Sequence, residues 1–328
     1  MTSRLVVAPN WLGDCVMSLP VLRAMRRAYP RDPLAVLAPR GPAGLFRAEG
    51  SADTVLVRSG LLRDAWRLRR RGFREAWLLP NSFRSAVAPR LAGIPERIGY
   101  DTDRRGALLT HHARPPGATG HQLRDYDALL LSRGIEPDRD APRLPVTVES
   151  LETADSALEA AGAGRDRPLA LLAPGAAFGW TKRWPAERYG NLADLLAERG
   201  YFCAAVIGPG EESLAAASAA SARSSLPVLG AGLDPLELAA LLSRARVVVG
   251  NDSGPMHLAA AVGTPVVAFF GPTDPGRTAP SGSPSKVLDR YVFCSPCFLK
   301  NCPYGHECMR EITAEMALQA VEEVVGVR

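Results

Sequence analysis

Lysine is almost absent: among 39 basic residues in a chain of 328 only Lys182, Lys286 and Lys300 are lysines, so the cationic chemistry is nearly all arginine. Long apolar runs are missing as well. No segment reaches the roughly 18 consecutive apolar residues of a membrane span, and MTSRLVVAPN enters a strand pattern without the apolar core of a signal peptide. A cytoplasmic protein is expected, in whose reducing environment the six cysteines are not expected to pair as disulfides. The net charge of +5 has no helix-turn-helix, zinc-finger or RNA-recognition pattern beside it, so nucleic acid is not an expected partner. Nor does an Asp-x-Asp pair occupy a loop expected to face a ligand. Asp101-x-Asp103, in GYDTDRRG, has basic neighbours that compensate it and reads as surface loop.

What is present is the composition of a folded, soluble chain, 47% apolar and 22% charged, long enough for two cores of about 150 residues each. Short β-branched or Leu-rich runs alternate with Ala/Leu/Arg stretches of helical length, the pattern of βα units around parallel sheets. Strands are expected near 5–8, 34–38, 54–57, 75–79 and 97–99, then near 169–172, 203–207, 228–229, 247–249 and 266–270. Helices are expected near 15–28, 42–48, 61–71, 83–91 and 121–133, then near 186–198, 211–222, 235–243 and 255–261. The domains are read as 1–150, an N-terminal Rossmann-like domain, and 165–312, a C-terminal one. The Pro-, Asp- and Gly-containing stretch 137–168 connects them, and its helix-like piece 151–161 fits either half. The amphipathic stretch 313–325 within the tail 313–328 is a candidate to cross back to the first domain.

In open parallel sheets ligands collect beyond the carboxyl ends of the strands, which selects a few loops. VVGNDSGPMHLAAAVGTPVV (248–267) joins a strand to a small-residue helix, and Asp252, Ser253 and Gly254 stand at the helix entry. Either they are an ordinary N-cap, or free backbone N–H groups there receive a pyrophosphate while Asp252 holds sugar hydroxyls. His257, five residues past Asp252, reaches a ligand only if its helix face turns that way. PNWLGDCVMSLP places Gly13 and Asp14 at another helix entry, where Asp14 is a cap or a proton acceptor for an attacking hydroxyl. PGAAFGWTKRWP combines Gly175 and Gly179 with Lys182 and Arg183, cations suited to a phosphate and equally to a solvated loop.

Two further features have competing readings. The arginines Arg67, Arg69, Arg70, Arg71, Arg74, Arg84, Arg90, Arg97, Arg104 and Arg105 crowd the first half, as solvated helix faces or as an attraction for phosphorylated or membrane-surface acceptors. Cys294, Cys297, Cys302 and Cys308 fall within one short loop, with His306 between the last two. Four thiolates suit a structural metal away from the chemistry, although the spacing matches no standard frame. The alternative is packed free thiols.

PNWLGDCVMSLP, LPNSFRSA, the PG…KRWP loop, NDSGPMHLAAA and FFGPTDP, in this order over nearly the whole chain, resemble the bacterial heptosyltransferases of the lipopolysaccharide core. Within that family, Asn81-Ser82-Phe83 is most similar to the enzymes that add the second heptose. The resemblance implies an α/β GT-B fold of two facing Rossmann-like domains with parallel sheets. It also implies inverting transfer of L-glycero-D-manno-heptose from ADP-heptose to heptosyl-Kdo2-lipid A, with no cofactor required for catalysis. Asp14 would be the general base and Lys182 would steady the departing ADP. Gly175, Arg183, Asp252, Ser253, Gly254 and His257 would bind the donor, and either Glu211 or Glu212 of GPGEES would meet the ribose. Gly13, Asn81, Ser82, Arg84, Arg97 and Tyr100 are the expected acceptor contacts. The lipid-linked acceptor implies peripheral contact with the inner face of the inner membrane. The alternatives are the same fold with another sugar or acceptor, as in the enzyme adding the first heptose, and a non-catalytic nucleotide-sugar-binding protein.

Overall fold

The computed structural model describes residues 1–117, 119–164 and 166–326. The chain divides into two compact units, Met1–Pro142 and Arg143–Arg328. In the first, β1 (Arg4–Val7), α1 (Leu12–Met17), α2 (Leu19–Ala28), β2 (Leu34–Ala38), α3 (Ala43–Glu49), β3 (Thr54–Val57) and α4 (Leu61–Arg71) precede β4 (Glu75–Leu78). Then come α5 (Phe83–Leu91), β5 (Glu96–Tyr100), β6 (His111–Ala113) and α6 (Leu123–Leu131). The strands form one parallel sheet in the order β3-β2-β1-β4-β5-β6. β1, β2 and β4 are buried along their whole length, as a parallel sheet covered on both faces requires.

The second unit runs α7 (Val148–Ala160), β7 (Leu169–Ala173), α8 (Ala186–Glu198), β8 (Phe202–Val206), α9 (Glu212–Ser221), β9 (Val228–Leu229) and α10 (Pro235–Ser243). It continues with β10 (Val247–Asn251), α11 (Gly254–Ala261), β11 (Val266–Phe270), α12 (Pro275–Thr278), β12 (Ser285–Asp289), α13 (Glu307–Arg310) and α14 (Ala314–Val325). Its parallel order, β12-β11-β10-β7-β8-β9, repeats that of the first sheet, with β7 and β10 in the places of β1 and β4. Each unit is Rossmann-like, an α/β fold around a parallel sheet, as expected from the motifs.

The differences from the sequence reading have local causes. The expected helix over 15–28 is two helices that part at Ser18, because Pro20 has no N–H to continue the first; Val21 N bonds instead to Ser18 O. β6 and β12 were not foreseen: HHA is too short to show a period, and β12 is a half-exposed edge strand. The units divide before residue 150. α7 packs on α10, and Leu144 N donates to Ala261 O, so this stretch belongs to the second unit. So does the final helix, which the sequence allowed to return to the first domain. The apolar face of α14 lies on α8 and on β10, β11 and β12, with Ala317, Ala320 and Val321 in the core. Thr313 caps its start by accepting from Met316 N, and Gly326 ends it at φ 72°.

Candidate functional site

In this strand order the chain reverses its winding direction between β1 and β4 and again between β7 and β10, and the carboxyl ends of the strands at such switch points are where open α/β sheets bind ligands. The segments that follow these four strands carry Asp14, Asn81-Ser82, Lys182-Arg183 and Asp252-Ser253-Gly254.

The second unit's site is built around Asn251, the last residue of β10 and fully buried. Its Oδ1 accepts from Trp184 N at 2.9 Å and lies 3.1 Å from the Tyr189 hydroxyl, while its Nδ2 donates to Pro174 O at 2.9 Å and Gly175 O at 3.2 Å. One amide thus fixes both ends of the 174–184 loop, and the aromatic cluster of Trp184, Tyr189 and Phe269 seals it from below. Loop and strand then bring Lys182 and Asp252 together. Lys182 Nζ lies 2.6 Å from Asp252 Oδ2 and 3.3 Å from Asp252 O, and the Thr273 hydroxyl donates to the same Oδ2 at 2.7 Å. Both side chains of the pair are largely buried, at 14% and 4% exposure.

Beside this pair α11 begins without a capping side chain. Ser253 occupies the N-cap position in extended conformation, but its hydroxyl turns back to Asn251 O. First-turn N–H groups therefore remain for an anion. Arg183 donates through Nη2 to Ala176 O, and its buried Nε has no hydrogen-bond partner among the described residues. Glu211 and Glu212 separate clearly. Glu212 is exposed and holds Gly210 N at the start of α9, whereas Glu211 accepts from Gly208 N at 2.9 Å. The Glu211 carboxylate also lies against Gly175, where a Cβ would have to displace it. His257 is buried in α11.

In the first unit, Asp14 stands in the first turn of α1, half-buried, with Gly13 beside it. Gln122 Nε2 donates to Asp14 Oδ1 at 3.1 Å and lies 3.3 Å from the Tyr126 hydroxyl. Burial, and then the Asp14 charge, push the Tyr126 phenol well above its usual range, so it stays protonated. A cavity of about 400 Å³ at the carboxyl end of the same sheet is lined by Asn10, Arg58, Leu61, Asp64, Ser82 and Arg84. Arg58 is tied to Asn10 Oδ1 and Ala8 O, and burial lowers its pKa. A larger cavity of about 750 Å³, with Arg167, Arg244 and Arg246 in its wall, lies at the amino ends of β7 and β8, away from these loops.

Two expected acceptor contacts are structural instead. Arg97 is 9% exposed, and its guanidinium is occupied by the carbonyls of Ile94 and Leu108. Tyr100 is 3% exposed and gives its hydroxyl to Asp125 O. Both lie on β5, where the sheet interior claims them. Arg105, one of the crowded arginines, is fully buried: it donates to Tyr100 O and Pro80 O and reaches the Ser85 hydroxyl, and burial lowers its pKa to about 10. It organises the Asn81-Ser82 loop from behind. The Asp103 carboxylate accepts from Phe83 N at the start of α5.

The cysteine loop does not fit a metal. Among the described residues no three His, Cys, Asp or Glu side chains are arranged to hold one, and all six cysteines are free. Cys308 is buried against Gly271, and burial, followed by the nearby Cys294, Cys297 and Cys302, pushes its thiol up to about 11. Cys302 Sγ turns to Tyr304 O. What the loop does is grip the segment carrying Lys182. His306 Nε2 donates to Thr181 O at 2.6 Å, the Thr181 hydroxyl to Leu299 O at 2.6 Å, and Trp180 Nε1 to Asn301 Oδ1 at 3.2 Å.

Sequence reasoning missed Asn251, Thr273, Gln122 and Arg58. Asn251 and Thr273 had a signal, since each sits at or just beyond a strand's carboxyl end within a quoted motif. Gln122, 108 residues from Asp14, had none.

Residues 62–307 match the family model described as glycosyltransferase family 9 (heptosyltransferase). The chain belongs to glycosyltransferase family 9. Lipopolysaccharide heptosyltransferase 2 of Salmonella typhimurium is 31% identical, the match covering 98% of each chain, and lipooligosaccharide heptosyltransferase 2 of Haemophilus influenzae is 29% identical over 98% of this chain and 99% of its own. The solved structure of the Escherichia coli ADP-heptose LPS heptosyltransferase II superposes with a TM-score of 0.85 at 26% identity, covering 99% of this chain and 98% of the other. This family 9 member is accordingly a heptosyltransferase, and among its described residues no helix is long and apolar enough to cross a membrane.

Proposed function

We propose that the protein transfers L-glycero-D-manno-heptose, with inversion, from ADP-heptose to the heptosyl-Kdo2-lipid A inner core of lipopolysaccharide at the cytoplasmic face of the inner membrane. The observation that carries the donor half of this reading is the Lys182–Asp252 pair at the uncapped start of α11, with Arg183 next to Lys182 in the chain. A departing diphosphate needs positive potential and fixed N–H donors where its charge grows, and this cluster supplies both without a metal. Lys182 contacts the phosphate while still anchored by Asp252. Asp252, with Ser253, Gly254 and His257 near it, faces the heptose hydroxyls, and Glu211, lying over Gly175, takes the ribose.

Asp14 removes the proton from the acceptor hydroxyl as that oxygen bonds to the anomeric carbon. The bond from that carbon to the ADP oxygen breaks, and its electron pair leaves with ADP. Gln122 holds the carboxylate in orientation through a neutral amide. Gly13, Asn81, Ser82 and Arg84, joined by Asn10 and Arg58, frame the acceptor sugars. Turnover of ADP-heptose with heptosyl-Kdo2-lipid A tests the assignment, and treatment with a chelator is expected to leave it within about twofold. A wild-type protein that binds ADP-heptose yet transfers no sugar to this acceptor would overturn it.

A further inference from the structure

The two units differ sharply in charge. Residues 1–142 carry 23 Arg against 14 Asp and Glu, a net +9, while the rest carries 16 Lys and Arg against 20 acids, a net −4. Much of the first unit's excess is on or next to α4. Its inward face, Asp64, Ala65 and Leu68, is buried. Asp64 is the helix's one acid, and its carboxylate turns inward to accept from Ser59 N and the Ser59 hydroxyl. On the outward face Leu62 is 76% exposed and Trp66 59%, one turn apart, with Arg63, Arg69 and Arg70 around them. The Arg70 guanidinium stands 4.7 Å over the Trp66 ring. No ion pair to Arg63, Arg69, Arg70, Arg71 or Arg74 occurs among the described residues. α5 packs beside α4 and adds exposed Phe83, Arg84, Arg90 and Leu91.

We propose that the outward face of α4, with the exposed side of α5, is a docking surface for an anionic lipid bilayer. Arginines without carboxylate partners gain from a negative surface, each adding to the attraction. A tryptophan and a leucine on the same face enter the headgroup boundary, the preferred depth of an indole ring. A nucleic acid would meet the charges and leave Leu62 and Trp66 in water. The bilayer satisfies both. The first unit's cavity is lined by Leu61 of α4 and Arg84 of α5, so docking through these helices holds that cavity at the lipid surface. This last point rests on the proposed acceptor; the surface itself does not.

The test is sedimentation of the full chain with phosphatidylcholine–phosphatidylglycerol vesicles and with phosphatidylcholine vesicles alone, for the wild type, R63E/R69E/R70E and L62S/W66S. All five positions are exposed, and melting curves verify that both variants fold. The wild type is expected to bind the anionic vesicles. The arginine variant should bind on the order of 100-fold more weakly and the Leu62/Trp66 variant at least about tenfold more weakly. Tryptophan emission should shift to the blue on binding and lose most of that shift in W66F. Turnover on a deacylated, water-soluble acceptor should be unchanged in both multiple variants. Wild-type protein that ignores anionic vesicles overturns the proposal. So does binding indifferent to L62S/W66S, or binding to duplex DNA as tight as to vesicles. If the wild type fails to turn over the soluble acceptor while vesicle binding behaves as stated, the enzymatic reading falls and the surface stands.

Discussion

In the first unit, Asp14 accepts from the neutral amide of Gln122 at 3.1 Å; in the second, Asp252 lies 2.6 Å from an ammonium and 2.7 Å from a hydroxyl. Both carboxylates follow strands that flank the switch point of the same strand order. The scaffold therefore fixes where a carboxylate stands, and its neighbours decide what it does. Asp252 has its charge matched by Lys182 and serves as a fixed post. For Asp14 the proposed role is general base, and the contact that Gln122 makes to it comes from an uncharged amide. The surroundings differ in the same sense. The second site is locked by Asn251 and gripped by the cysteine loop, whereas the first unit carries a cavity edged by Arg58 and Arg84 at the carboxyl end of its sheet.

The comparison breaks most directly at the two carboxylates. Asp14→Asn should lower kcat by about 10³-fold, within the range for loss of a general base, with donor affinity kept. Isothermal titration with ADP-heptose beside steady-state kinetics separates the two quantities, and full activity in the variant would remove Asp14 from the mechanism. Lys182→Met should cost roughly 10²-fold in kcat and weaken ADP as well, because its target is the leaving diphosphate. Were ADP binding untouched, Lys182 would be only a partner of Asp252.

Asn251→Ala removes the partner of Trp184 N and the anchor of two carbonyls, and leaving buried groups unpaired costs about 1–3 kcal/mol each. The melting temperature should drop by several degrees; an unchanged value would show that the loop holds itself. The smallest effect concerns acid. Burial raises the Asp194 pKa, but the backbone N–H groups of Arg223 and Ser224, with the side chains of both, outweigh it and hold the carboxyl at about 2. A carboxyl depressed in the folded state stabilises it above the ordinary value of 3.8, and that contribution is lost as pH falls through about 2. Asp194→Asn should be less stable than the wild type at neutral pH, and the gap should close as unfolding is followed down to pH 2.

The parallel sheets were legible because buried strands such as LAVLA and LALLA carry their burial in composition alone. Asp14, Lys182 and Asp252 could be picked out as candidates because each lies in a segment that follows a strand, which is where the structure places them. Arg97, Tyr100 and Arg105 misled for a different reason. An arginine or tyrosine in a strand or in the turn after it looks the same in sequence whether its polar tip meets solvent or a ring of carbonyls, and here the carbonyls of Ile94, Leu108, Asp125 and Pro80 claimed them. The cysteines misled similarly. Their crowding is a fact of sequence, but the direction of each Sγ depends on the packing of Gly271 and on local turns.

Local order determined much of this protein: the alternation of strand and helix, the loops able to carry chemistry, and the basic bias of the first half follow from residues close together in the chain. Tertiary structure alone decided the pairings. Lys182 meets Asp252 across 70 residues, Gln122 meets Asp14 across 108, and His306 meets Thr181 across 125. A hydrogen bond is settled within a few tenths of an ångström, and only the assembled sheets, not any local pattern, bring such distant atoms that close.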